Sequence, residues 1–287
     1  MKKVIAFTLS LFLSVSPCFA AWDKAKPAGT DNRSDLDTII QANNAALESS
    51  LQNMRGWVNL KVVRTSVSVV TVTANELWLQ KSADLSRNFS TVSEAIDITA
   101  SGASGLDAGA ESADAWYYVW IIAKDDNTID GLLSASSTAP TLPSGYTYKT
   151  LVSAVHNTSS DFVDFIQTGR KYSYSSWPVM ASGSVGTGTW VAIDTTAFVP
   201  SALSDFAYGK TCSYGASGGA VGITNDNTIS VAFYNVRNGM GGGTSSNDSV
   251  VPVETWQFNI ITANTLYWIS SLASHNLFIH GFEITKI

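Results

Sequence analysis

The sequence predicts a mainly β protein in which a short N-terminal helix is followed by two β-sandwich-like modules. Three observations carry that expectation. Of the 287 residues, 45% are hydrophobic and 11% aromatic but only 14% charged, and β-branched and ring side chains suit a pleated, half-buried surface. From Trp57 onward apolar and polar residues alternate with a period of two, the spacing of a strand with one buried face. Such segments recur at near-regular spacing between Gly, Pro, Asn and Asp turns, the layout of a sandwich or barrel. The length suffices for one large core or two ordinary ones. A formal net charge of −6 lacks the concentrated basic face that a phosphate backbone requires, so nucleic acid is not an expected partner.

Residues 1–20 read as a secretory signal peptide. Lys2 and Lys3 precede an apolar run from Val4 to about Val15, Pro17 breaks it, and Cys18 and Ala20 are the small residues before a cut after Ala20. The run is shorter than the ~20 apolar residues of a membrane span; an uncleaved apolar helix or a lipid anchor on Cys18 are the weaker alternatives. A cleaved signal peptide makes the extracellular space the expected location. Cleavage leaves 15 basic against 23 acidic side chains and one cysteine, Cys212, so no intramolecular disulfide forms and stability rests on burial or assembly.

Residues 21–56 read as an arm followed by a helix, with oligomerisation as its expected role. Ser34 or Asp35 caps the helix, and Leu36, Ile39, Ile40, Ala42, Ala46 and Leu47 recur at helical spacing. The stripe is narrow and Ala-rich, which suits packing against a copy of itself.

The first β module spans 57–176. Leu60, Val62 and Arg64 alternate with Val63, Thr65 and Val67, and strands continue to Val72 and from Leu77, with "TANE" (73–76) read as a turn. A looser Ser/Gly/Ala stretch follows, then "WYYVWIIAK" (116–124), a continuous apolar run short and aromatic enough to be a buried strand. "DDNTIDG" is a turn, Pro140 and Pro143 bar a central strand, and "TLVSAVHN" and "DFVDFIQTGRKYSY" are strands. The second module, 177–287, has strands at Trp190–Ile193 and Phe206–Tyr214, an apolar corner at Phe198–Pro200, a Gly/Ser loop at 238–249 and three closing strands.

The chain carries few signs of catalysis. His156, His275 and His280 are its only histidines, and it lacks a G-x-S-x-G elbow, an H-E-x-x-H helix and a Cys/His ligand cluster. The acid pairs Asp125/Asp126 and Asp161/Asp164 fall in turn sequences, where solvated acids are the default, and "DDNTID" or "NDN" would offer at most a weak calcium site. No catalytic residue, metal or cofactor is therefore expected. The tryptophans lie mostly in apolar strands, which favours burial, although exposed rings would stack on sugar faces. Because binding residues ride on the loops of a rigid scaffold, Tyr208, Tyr214, Asn238, Met240 and Asn247 are the candidate binding residues.

One pattern extends beyond chemistry. A Gly105-Leu106-Asp107 turn with Gly109, a Trp116-Tyr117-Tyr118 strand, "GLLS" (131–134), "APTLPSGYT" (139–147) and the ending Phe165, Gln167, Gly169, Tyr174 follow in that order. This order resembles a module of tailed-bacteriophage and prophage virion proteins of the tail-fibre or receptor-binding appendage type. Upstream, "DLDTIIQANNAALE" is similar to an attachment segment, and the "FVPSA" corner with "GFEITK" to a C-terminal sandwich. The resemblance implies a non-enzymatic structural protein, a homotrimer, other virion proteins as partners and a host-surface glycan as receptor. A signal peptide departs from that pattern and keeps a secreted bacterial surface or carbohydrate-binding protein as the alternative, with a glycan depolymerase as a third.

Overall fold

The computed structural model describes Asn43 and residues 56–287 apart from 83–84, 160, 177, 184–185, 215–219, 226–227, 229–235, 238–249, 261–263 and 271–274. The expected signal peptide, and the arm and helix of 21–56 except a helical Asn43 and Gly56, lie outside the described residues.

From Gly56 on, the described elements are strands: β1 (Trp57–Val58), β2 (Lys61–Arg64), β3 (Val69–Ser82), β4 (Leu85–Asp97), β5 (Gly105–Leu106), β6 (Ala115–Lys124), β7 (Ile129–Ser134), β8 (Tyr146–Asn157), β9 (Phe165–Thr168), β10 (Lys171–Tyr174), β11 (Val179–Ser182), β12 (Gly186–Asp194), β13 (Phe206–Tyr214), β14 (Ala220–Thr224), β15 (Val236–Arg237), β16 (Val250–Asn259), β17 (Thr265–Ser270) and β18 (His275–Glu283). The protein is mainly β. One large sheet runs β16-β13-β18-β10-β9-β2-β3-β8-β6-β7-β5, with β1 and β4 on β3 and β11 on β18; a smaller one runs β12-β17-β14-β15.

β6 shows how composition becomes packing. Alternate residues of its apolar run point to opposite faces: Tyr117, Val119, Ile121 and Ala123 enter the main core, while Trp120 and Ile122 join Leu132 in a small cluster on the other face. The strand is buried on both sides, which is why it reads as a continuous apolar run.

β3 and β4 differ from expectation. "TANE" is not a turn, because β3 continues through it, and the looser stretch after it contains β4, paired along β3 from Val69↔Asp97 to Ser82↔Leu85. Both strands change phase at the same level. On β3 the buried set passes from Val70, Val72 and Ala74 to Leu77 and Leu79, and on β4 from Phe89 to Val92 and Ile96. Thr91, at φ 57, accompanies the phase change on β4. The register is the same on both sides, Ala74↔Val92 and Glu76↔Ser90, and all these residues enter one core, so the parity of the buried positions changes while the buried face does not, and neither strand keeps a single alternation.

β18 joins the two halves of the chain. It pairs with β10 through Lys171↔Glu283 and Tyr172↔Phe282 and on its other edge with β13 through Ala207↔Phe282. Side chains follow the same route: Phe165 stacks on Tyr172 (centroids 4.5 Å apart) and Tyr172 on Phe282 (4.2 Å). The Tyr174 hydroxyl donates to the Phe198 carbonyl at 2.5 Å, and Trp116 Nε1 donates to the Thr196 carbonyl at 2.7 Å. One apolar cluster includes Leu60, Val72, Tyr172, Leu203, Trp268 and Phe282. The large sheet therefore passes without a break across the 176/177 boundary.

The residues behind the appendage resemblance have structural roles. Gln167 is fully buried, donating from Nε2 to the carbonyls of Val152 (2.9 Å) and Gly169 (2.8 Å) and accepting from Ser153 Oγ (2.6 Å). Gly169, at φ 56, turns the β9–β10 hairpin. In "APTLPSGYT", Tyr146 N–H donates to the Pro143 carbonyl and Gly145 takes φ 84, a positive φ that a type II turn needs at its third residue.

A carboxylate pair bridges β4 and β7. Asp130 accepts from Ser104 Oγ, the Gly131 N–H and the Tyr146 hydroxyl. Burial first, and then the Asp130 charge, push Glu94 up from 4.5 to about 7. A carboxyl raised in the folded state stabilises it fully below about pH 4.5, and that contribution is lost as pH rises through about 7. Solvent on the exposed side of Glu94 reduces the effect to about 1–2 kcal/mol. Urea unfolding at pH 5 and pH 8 is expected to show Glu94→Gln losing that much less stability than the wild type between the two; identical losses contradict it.

Candidate functional site

The strongest candidate forms where β10, β18, β13 and β16 lie side by side. Glycine inside a strand marks a bulge or the close approach of another group, and both occur here. Tyr208 covers Gly281: a Cβ at 281 would overlap the Tyr172 carbonyl oxygen and come within 2.7 Å of the Tyr208 hydroxyl. Trp256 covers its cross-strand partner Gly209, where an added Cβ would overlap its ring. The register between β13 and β18 passes from Tyr208↔Gly281 to Gly209↔Ile279, so His280 is the extra residue of a bulge; bulges re-aim side chains and are common beside sites.

The result is a concavity of about 600 Å³ lined by Lys171, Tyr208, Trp256, Gln257, His280 and Glu283, among others. Its size falls in the ~300–1,000 Å³ range of small-ligand sites. Tyr208 is fixed from below: its hydroxyl donates to the Tyr172 carbonyl at 2.6 Å and lies 3.1 Å from Ser173 Oγ, and Lys171 Nζ sits 5.3 Å from its ring centroid. Burial raises the Tyr208 pKa, so the hydroxyl is neutral. Burial, and then the Lys210 charge, lower His280 below its usual value, so the imidazole is neutral at pH 7. Trp256 is 6% exposed and its Nε1 has no hydrogen-bond partner among the described residues. Two aromatic side chains on strands, ringed by hydrogen-bonding groups and one ammonium, can hold a ligand that has both an apolar face and hydroxyl groups.

Of the sequence-predicted residues, Tyr208 lines this concavity. Tyr214 ends β13 with its side chain outside the described set, and Asn238, Met240 and Asn247 lie outside the described residues. Sequence reasoning missed Trp256, Lys171, Gln257 and His280, which come from three other strands brought together by sheet order. The available signal was the glycine within "FAYGKTC" and "FIHGFE". Elsewhere, Asp125 is held by Lys81 Nζ at 2.8 Å, which with Arg87 lowers its pKa. His156 is buried against Trp116, with ring centroids 5.0 Å apart, and burial lowers its pKa against the opposing pull of Asp114. Among the described residues no group of three or more His, Cys, Asp or Glu side chains is placed to hold a metal.

No protein-family model, curated protein or solved structure matches the chain.

Proposed function

We propose that this chain is a non-enzymatic structural and binding protein of the phage-appendage type, with two sandwich-like modules, that contributes to assembly and holds a host-surface glycan. The observation that carries the glycan part is the Tyr208–Trp256 concavity. It sets two aromatic side chains on paired strands with Gln257 and Lys171, and sugars are recognised by ring faces that stack on them and hydroxyls that pair with polar groups. The appendage part is supported by the order of the Gly105–Tyr174 motifs. That reading includes a homotrimer held through residues 21–56, other virion proteins as partners, and no nucleic acid.

Retention of the full chain on immobilised host-surface polysaccharide tests it. Wild type is expected to bind saturably, and Tyr208→Ala or Trp256→Ala to weaken binding about tenfold or more, as the loss of one aromatic anchor does. No binding by the wild type, or binding by both variants as tight as that of the wild type, contradicts the reading. The second reading is a secreted surface or carbohydrate-binding protein, favoured by the leader-like run from Val4 to Ala20. Co-purification with virus particles separates the two.

A further inference from the structure

A second concavity, of about 520 Å³, lies away from Tyr208 and is lined by Trp57, Trp78, Trp120, Lys81 and Lys149. Its tryptophans come from three strands. Trp120 is 5% exposed and donates from Nε1 to the Ser136 carbonyl at 3.1 Å. Trp78 is 7% exposed, yet its Nε1 has no hydrogen-bond partner among the described residues. A buried donor without an acceptor is uncommon in native proteins, and here it borders a concavity. Trp57 is half-buried, with the Arg170 guanidinium 5.5 Å from its ring centroid on one face.

The charges are uneven. Lys81 is neutralised by Asp125 at 2.8 Å. Lys149 makes a long 3.4 Å bond to the Thr138 carbonyl and lies 5.3 Å from the Trp120 ring centroid, with no carboxylate partner among the described residues. An acidic chain of net charge −6 thus presents an ammonium without a carboxylate partner among the described residues in a concavity that the half-buried Trp57 also lines. That set complements a sugar carrying a carboxylate: the apolar face of the sugar packs on the half-buried Trp57, and the carboxylate takes a charge-assisted bond from Lys149.

We propose that this three-tryptophan concavity is a second saccharide site, selective for uronate-type acidic sugars. It rests on the glycan-binding reading but on residues separate from the Tyr208 concavity. The test titrates the full chain with trigalacturonate and, separately, with uncharged maltotriose, following the Trp78 indole N–H resonance. Trigalacturonate is expected to shift that resonance and to bind about tenfold or more tighter than maltotriose. Lys149→Gln is expected to remove the preference with an unchanged unfolding midpoint, and Tyr208→Ala to leave it intact. A trigalacturonate preference that survives Lys149→Gln and Trp57→Phe overturns the proposal. So does a preference abolished by Tyr208→Ala, which places the acidic sugar at the first site and leaves the glycan reading standing. Failure of trigalacturonate to bind wild type that still binds host polysaccharide overturns the second site alone; failure of both ligands overturns both readings.

Discussion

Phe282→Ala is expected to cost about 3–5 kcal/mol, the range for deleting a buried aromatic side chain, and to lower the stability of both halves of the chain together. Phe282 is fully buried at the end of a column that crosses β9, β10 and β18 through Phe165 and Tyr172, and Trp116 meets its edge at 6.1 Å. Small domains are stable by roughly 5–15 kcal/mol, so this loss is a large part of the total. Guanidinium unfolding followed by tryptophan fluorescence and by circular dichroism is expected to show one coincident transition at a lower midpoint. A loss below about 1 kcal/mol, or two separated transitions, contradicts the role given to β18. Tyr172→Phe is the paired control: the ring is kept, and a buried hydroxyl with no hydrogen-bond partner among the described residues is removed. Its stability is expected to be unchanged or up to about 1 kcal/mol higher, since the desolvation cost of that hydroxyl disappears.

Gly281→Ala is expected to cost about 3 kcal/mol, the upper end for overpacking against a rigid neighbour. The obstacle is the Tyr172 carbonyl oxygen on the paired strand, which cannot rotate away as a flexible side chain would. The same methyl group also displaces the Tyr208 hydroxyl from its 2.6 Å bond to that carbonyl, so the proposed glycan binding at the first concavity is expected to fall with stability. Thermal unfolding and retention on host polysaccharide check both. A variant as stable as wild type shows that β10 and β18 are farther apart at this point than described.

These outcomes bear on what the sequence could convey. The β-rich character, the buried strand at 116–124 and the turn at Pro143–Gly145 were readable because each depends on local composition and spacing. The β3–β4 pair was obscured by the shared phase change near Asn75 and Thr91: a strand whose buried positions change parity loses its periodic signature while keeping its ladder. Of the residues that line the first concavity, Tyr208 alone was named from the sequence, as a loop candidate, and it lies within β13. Lys171, Trp256 and His280 meet it only through the order β16-β13-β18-β10, and non-local pairing leaves no trace in a window of ten residues. The glycines at 209 and 281 recorded it indirectly, as places where a neighbouring ring or backbone needed room.

The glycan reading gives these concavities their meaning, and it is separated from its strongest rival by turnover. The full chain incubated with host-surface polysaccharide should be assayed together for bound protein and for new reducing ends. Saturable binding with reducing ends no higher than in a protein-free control is the expected result. A rise in reducing ends that scales with protein concentration would contradict it and identify a depolymerase.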